Sequence, residues 1–174
     1  MKRLIMINGA MGVGKSAVSR CIQRLLPACA LLDGDWCWNV HPFSVTEESK
    51  RRVIDHIVTI LHGYLACADV QNVVFCWVMQ RREIAESILA RLPLGNAAVA
   101  RFTLTASPET VAALLRGDVA AGLRDEDVIA RSIAYLPFYA QDMGSIKLAT
   151  DGLSAEETAR EIARIVQREE NHEA

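Results

Sequence analysis

Short apolar runs and longer amphipathic stretches follow one another along the chain, which predicts strands that alternate with helices. The strand-like runs lie at residues 4–7, 30–32, 73–78, 98–105 and 146–150. Residues 73–78 are apolar throughout, as is typical of a strand that is covered on both faces of a sheet. The alternation predicts an α/β fold in which a parallel sheet is covered by helices on both faces.

Between these runs, apolar residues recur three and four positions apart, as on the buried face of a helix. Pro27 should end the first helix, and Ser44 with Glu47 has the spacing of a capping box for the second. Ser107 should begin the fourth helix and Gly117 should break it. The helices are expected at residues 15–26, 44–68, 81–92 and 107–117, around residues 129–136, and after residue 154.

The strongest chemical signal lies between the first strand and the first helix. Residues 9–16 read G-A-M-G-V-G-K-S, which fits the pattern G-x-x-x-x-G-K-[ST] at every fixed position. Glycines let backbone N–H groups surround phosphate oxygens, and the helix adds its positive N-terminal end. Lys15 should reach the β- and γ-phosphates, and Ser16 should be a ligand of Mg²⁺. The residues expected to bind the nucleotide are Gly9, Ala10, Met11, Gly12, Val13, Gly14, Lys15, Ser16 and Ala17.

A second motif follows the second strand, where Asp33, Gly34 and Asp35 stand in a row. Ligands of parallel sheets bind beyond the carboxyl ends of the strands, so this motif should share a crevice with residues 9–16. In an extended chain, the two carboxylates would point to the same side. Residues 72–79 contain no Asp or Glu, so these two acids are the nearest that a strand end supplies. We assign Asp33 to the metal and Asp35 to the acceptor hydroxyl as base or orienting group; the alternative is an ordinary turn.

Candidate residues for binding an acceptor molecule stand close to the two acids or after the third strand. Trp36 and Trp38 follow Asp35 directly and could stack on a ring or line an apolar pocket, although core packing is the alternative for each. Arg81 follows the third strand, so it should face the same crevice and is a candidate for orienting the substrate.

A polar segment at residues 116–131 carries three arginines among acids. A mobile arginine can neutralise the charge that phosphoryl transfer spreads over the γ-phosphate, while a lid excludes water. We therefore predict a lid over residues 116–131, with Arg124 as the first candidate for a catalytic role ahead of Arg116 and Arg131. The alternative is that these are surface arginines paired with neighbouring acids.

Composition limits the kinds of partner. The net charge is −2 and the pI is about 6.1, so no strong basic field favours nucleic acid or an anionic membrane. The five cysteines include no C-x-x-C pair, which favours reduced thiols in a cytoplasmic protein. No apolar run reaches the ~18 residues of a membrane span. One domain over residues 1–174 is the expected organisation, and the oligomeric state is left open.

Together, residues 9–16 and the D-G-D motif resemble those of the P-loop small-molecule and nucleotide kinases, a superfamily with shikimate kinase, gluconate kinase and chloramphenicol phosphotransferase. Tunicamycin-resistance ATP-binding proteins are similar. The resemblance implies a five-stranded sheet in the order 2-3-1-4-5 and a lid between the fourth and fifth strands. The D-x-D of shikimate kinase implies the metal role for Asp33 and the hydroxyl role for Asp35. The glycine-rich segment that shikimate kinases have after the third strand is absent, because residues 78–81 read V-M-Q-R.

The expected activity is an ATP- and Mg²⁺-dependent transfer of phosphate to a hydroxyl of a small molecule. A nucleoside, a sugar acid or an antibiotic is a possible acceptor. The alternatives are an ATPase or switch that acts on a protein partner, and a resistance protein that sequesters its ligand with little turnover. The chain has no N-K-x-D guanine signature and no acid in its third strand, which argues against the switch.

Overall fold

Five parallel strands form one sheet in the computed structural model, which describes residues 2–173 and, in the last helix, side chains as far as Arg168. The strand order is β2-β3-β1-β4-β5, and every pairing between neighbours is parallel, as expected. β1 is central, pairing with β3 on one side and β4 on the other. The strands are β1 (Arg3–Gly9), β2 (Cys29–Asp33), β3 (Asn72–Cys76), β4 (Ala98–Thr105) and β5 (Ile146–Ala149).

Helices cover both faces of this sheet. They are α1 (Lys15–Leu25), α2 (Glu47–Ala66), α3 (Arg82–Leu89), α4 (Pro108–Ala120), α5 (Asp127–Ala140) and α6 (Ala155–Glu173). Successive residues of β1 point to opposite faces: Ile5 belongs to a core cluster with α1 and α6, whereas Leu4 belongs to a cluster with α2 and α3. Both clusters are fully closed to water around β1, which explains why its apolar run is continuous.

A third, smaller cluster joins α4 to α5 near the loop that follows β1. It contains Val111, Leu115 and Val128, with Met11 of the loop packed against it. The segment between β4 and β5 is therefore attached to the loop by apolar contacts.

Two predicted helix ends are wrong. The capping box of α2 is formed by Thr46 and Ser49 rather than by Ser44 and Glu47. The side-chain oxygen of each of these two residues accepts a hydrogen bond from the backbone N–H of the other. Gly117 does not break α4, which continues to Ala120 because its apolar face still packs against α5. The turn that ends it contains Gly122, whose φ is +69°.

The backbone after β2 also differs from the expectation. A short 3₁₀ helix (Gly34–Trp38) begins directly after Asp33, so the chain is not extended through the D-G-D motif. The carboxylate of Asp33 caps this helix by accepting a hydrogen bond from the N–H of Asp35 at 3.1 Å. Among the described residues, no helix is both long and apolar enough to cross a membrane.

Candidate active site

Glycines with positive φ shape the loop between β1 and α1. Gly14, the N-cap of α1, has φ of +95° and contributes no side-chain cap, so the first N–H groups of the helix are free of such a cap. Gly12 has φ of +80°, and a Cβ there would lie only 2.5 Å from Leu115 of α4. A side chain at this position would force Leu115 to shift. The glycines therefore serve both the turn and the close approach of α4.

Lys15 lies folded over this loop. Its Nζ donates a hydrogen bond to the carbonyl oxygen of Ala10 at 2.8 Å. Burial lowers the pKa of Lys15 to about 8, while the nearby carboxylates, Asp35 above all, oppose this shift. The ammonium group is thus a desolvated cation held beside the loop by one neutral hydrogen bond, which an anionic ligand can replace.

Ser16 and Asp33 meet at the end of the loop. Ser16 Oγ donates a hydrogen bond to Asp33 Oδ2 at 2.6 Å, and Asp33 is only 7% exposed. A hydroxyl and a carboxylate are hard oxygen ligands of the type that Mg²⁺ binds, usually together with water and substrate phosphates. Among the described residues, no group of three or more His, Cys, Asp or Glu side chains is placed to hold a metal ion. The donor types of Ser16 and Asp33 fit a magnesium ion whose remaining ligands come from outside the chain.

Asp35 stands at the mouth of the site, with its side chain open to solvent on one side. Partial burial raises the pKa of its carboxyl group, and the charge of Asp33 raises it further. Lys15 and Arg124 act in the opposite direction, because both are close enough to favour the ionised form of Asp35. The carboxylate is thus surrounded by one acid and two cations, an arrangement typical of functional sites.

Trp77 was missed by the sequence analysis. It follows β3, and its side chain is near enough to Asp35 to lower the pKa of that carboxyl group slightly, against the larger effect of burial. Its ring lies so close to Gly34 that a Cβ at that position would be 2.4 Å from the Cγ of Trp77. A tryptophan at the carboxyl end of a central strand was the available signal, because an indole N–H that is largely buried usually has a polar partner.

Of the three arginines expected in the lid, the structure brings only Arg124 to the site. Arg124 lies in the turn between α4 and α5, pairs with Asp118 at 3.1 Å, and influences the charges of both Lys15 and Asp35. Arg131 instead pairs with Asp127 on the surface of α5 at 3.0 Å, and Arg116 is exposed. That this segment moves as a lid stays a prediction.

The residues expected to bind the acceptor molecule differ in their surroundings. Trp38 packs between Trp77 and Phe43, with ring centroids 6.5 Å and 6.0 Å apart, whereas Trp36 points into solvent. Arg81 is exposed just before α3, and within the described residues its side chain makes no hydrogen bond or ion pair. Trp36 and Trp38 therefore follow Asp35 toward the outside of the site. Contact of Arg81 with a substrate stays a prediction.

A cavity of about 460 Å³ lies beside the loop that follows β1, between Ala10, the end of β4 and α5. Its lining is almost entirely apolar and comprises Ala10, Leu104, Thr105, Ala106, Pro108, Ile133, Leu136, Pro137, Tyr139 and Ala140. The volume falls within the range of small-molecule sites. The sequence analysis did not foresee this cavity, although the apolar face of α5 was visible in the pattern.

Comparison with known proteins identifies the fold. No protein-family model matches the chain, and no curated protein matches it in sequence. Solved structures match it over nearly its whole length. The gluconokinase from Sinorhizobium meliloti 1021 is 16% identical with a TM-score of 0.70, covering 99% of this chain and 98% of its own. The tunicamycin resistance protein of Deinococcus radiodurans is 18% identical with a TM-score of 0.69, covering 95% and 96%.

The APS kinase of Mycobacterium tuberculosis, solved in complex with AMPPNP and APS, is 16% identical with a TM-score of 0.64, covering 95% of this chain and 98% of its own. The chain therefore has the fold of the P-loop small-molecule kinases, including the strand order 2-3-1-4-5. At these identities the likeness establishes the fold.

Proposed function

We propose that this protein is an ATP- and Mg²⁺-dependent phosphotransferase that acts on a hydroxyl group of a small molecule. The observation that carries the proposal is the 2.6 Å hydrogen bond between Ser16 and Asp33 at the end of the phosphate loop. It joins two motifs that are 17 residues apart into one potential metal site. Asp35 lies directly beside that site, within the influence of Lys15 and Arg124.

In this proposal the loop and Lys15 hold the triphosphate of ATP. Backbone N–H groups at the start of α1 supply donors, and the helix end supplies a positive partial charge. Lys15 exchanges its hydrogen bond with the Ala10 carbonyl for one with the β- and γ-phosphates, a stronger charge-assisted bond. The nucleotide is thereby fixed before the acceptor enters.

Ser16 and Asp33 are the proposed holders of Mg²⁺, with Asp33 acting directly or through a bound water. When bound, the metal would offset the negative charge of the phosphates during transfer. Burial of Asp33 and its two hydrogen bonds keep the carboxylate in one orientation, so the ligand is arranged in advance.

Asp35 and Arg124 have the proposed roles in the transfer itself. The acceptor oxygen forms a bond to the γ-phosphorus while the bond from that phosphorus to the bridging oxygen of ADP breaks. Asp35 orients the acceptor hydroxyl and takes its proton, so the products are ADP and the phosphorylated acceptor. Arg124 neutralises charge on the transferring group after leaving Asp118, and residues 116–131 form the lid that carries it.

The solved structures that share this fold support the same activity. The gluconokinase and the APS kinase are named for small-molecule acceptors, and the APS kinase was solved with AMPPNP, an ATP analogue. The chain matches each over at least 95% of its length. A kinase activity therefore agrees with both the local chemistry of the site and its surrounding fold.

The test is release of ADP from ATP and Mg²⁺, with and without a pool of hydroxyl-bearing metabolites and antibiotics. A kinase should release ADP faster when its acceptor is present, and Lys15→Ala should abolish turnover while the melting temperature stays close to that of the wild type. Release that is fast without acceptor and unchanged by the pool would instead indicate an ATPase. Equal nucleotide binding and turnover in Lys15→Ala would remove the basis of the proposal.

A further inference from the structure

The segment that follows Asp35 exposes an unusual amount of apolar surface. Trp36 is 54% exposed, Val40 57%, Phe43 68% and Val45 52%. Large apolar side chains scattered singly on a surface need no explanation, but four within ten residues form a patch, and such patches commonly mark binding sites. We call these four residues together with Trp38 the apolar wall.

The apolar wall is continuous with the proposed active site. The ring of Trp77 lies against Gly34, the residue before Asp35, Trp38 packs on Trp77, and Phe43 packs on Trp38. A row of rings therefore leads outward from the carboxylate that would receive the acceptor hydroxyl. A molecule with its hydroxyl at Asp35 would lay the remainder of its structure along this row.

An acceptor with an apolar group would cover the apolar wall, which an acceptor made only of polar groups would leave in water.

We infer that the acceptor joins a hydroxyl group to an aromatic or branched aliphatic group, with the apolar group seated on the apolar wall. This inference rests on the proposed phosphotransferase activity and narrows the class of its acceptor. It excludes sugar acids, which carry no such group, and it includes nucleosides and antibiotics that do.

The test compares two uncharged glucosides that differ in one group. Phenyl β-D-glucopyranoside carries a ring, and methyl β-D-glucopyranoside lacks it. Binding is measured by calorimetry in the presence of Mg²⁺ and AMPPNP. The phenyl glucoside should bind about tenfold or more tightly than the methyl glucoside, as expected from burial of one ring.

Variants of the apolar wall locate the effect. Phe43→Ala and Trp36→Ala should each remove most of the preference for the phenyl glucoside over the methyl glucoside. Both side chains are largely exposed, so the fold should be unaffected. Leu25→Ala is the matched control, because Leu25 is 46% exposed at the end of α1 and lies outside the site. It should leave the preference unchanged.

Two results would overturn the inference. One is equal or undetectable binding of both glucosides, and the other is a wild-type dimer in light scattering that Phe43→Ala converts to a monomer. The last result would assign the apolar wall to a contact between two copies of the chain. Nucleotide binding by the same variants separates the two proposals. Intact AMPPNP affinity with no glucoside preference rejects the acceptor class alone. Loss of Lys15-dependent nucleotide binding rejects the phosphotransferase activity itself.

Discussion

Replacing each acid of the D-G-D motif by its amide should separate the metal from the acceptor chemistry. Asp33 forms two hydrogen bonds, to the hydroxyl of Ser16 and to the N–H of Asp35. In Asp33→Asn, the side-chain oxygen can still accept from the N–H of Asp35, and the new NH₂ group can donate to the Ser16 oxygen. The two bonds are kept and one negative charge is lost, so the variant should fold normally.

The expected magnitudes differ between the two variants. Asp33→Asn should raise the Mg²⁺ concentration for half-maximal activity by about 10- to 100-fold, the usual cost of altering a metal's supporting ligand. Asp35→Asn keeps an oxygen for the Trp77 side chain but removes the proton acceptor. Its rate should fall by about 10²- to 10⁴-fold, or roughly 3–5 kcal/mol of activation free energy. Binding of Mg-ATP to this variant should stay near normal.

The assay is a magnesium titration of ADP release by both variants, with a transferable acceptor in excess. Thermal melting of each variant controls for folding. The same raised Mg²⁺ requirement in both would mean that the two carboxylates form a joint metal site and that the base lies elsewhere. Full activity in both would mean that the motif is only a turn, which would remove the second support for the kinase proposal.

Two further predictions concern residues that only the structure brings together. Gly34→Ala should lower the free energy of unfolding by about 1–3 kcal/mol, because its Cβ would overlap the ring of Trp77, which must move away from the site. Gly63→Ala is the control in the same urea titration, because Gly63 has open space around it within α2 and the change should be neutral or stabilising. An equal loss of unfolding free energy in both variants would refute the overlap. Arg124→Ala should lower turnover by on the order of 10³-fold while Arg131→Ala has little effect, and equal turnover in both variants would reject the role of Arg124.

Local patterns in the sequence were sufficient for the backbone of residues 9–16 and for most of the helices and strands. The spacing of glycines in residues 9–16 determines backbone angles within a few residues, and the structure keeps them as positive φ at Gly12 and Gly14. The apolar runs likewise identify buried strands, because a central strand is covered on both faces whatever its neighbours are. β4 was predicted with the bounds that the structure has.

Local patterns were insufficient where a feature depends on neighbouring structure. The capping box of α2 was misplaced by two residues because several serines, threonines and acids offer the same spacing. Gly117 was read as a helix end, but packing of α4 on α5 outweighs the cost of about 1 kcal/mol for a glycine inside a helix.

Which residues come together at the site is decided mainly by the tertiary structure. Three arginines in residues 116–131 have similar sequence surroundings, yet only Arg124 acts on Lys15 and Asp35, because the turn after α4 places it there. Trp77 reaches Asp35 from another strand, 42 positions along the chain, and no periodicity links the two. Periodicity reports which face of its own element a residue occupies. Which side chains meet across elements follows from how β2, β3 and the helices pack, and only the folded chain determines that.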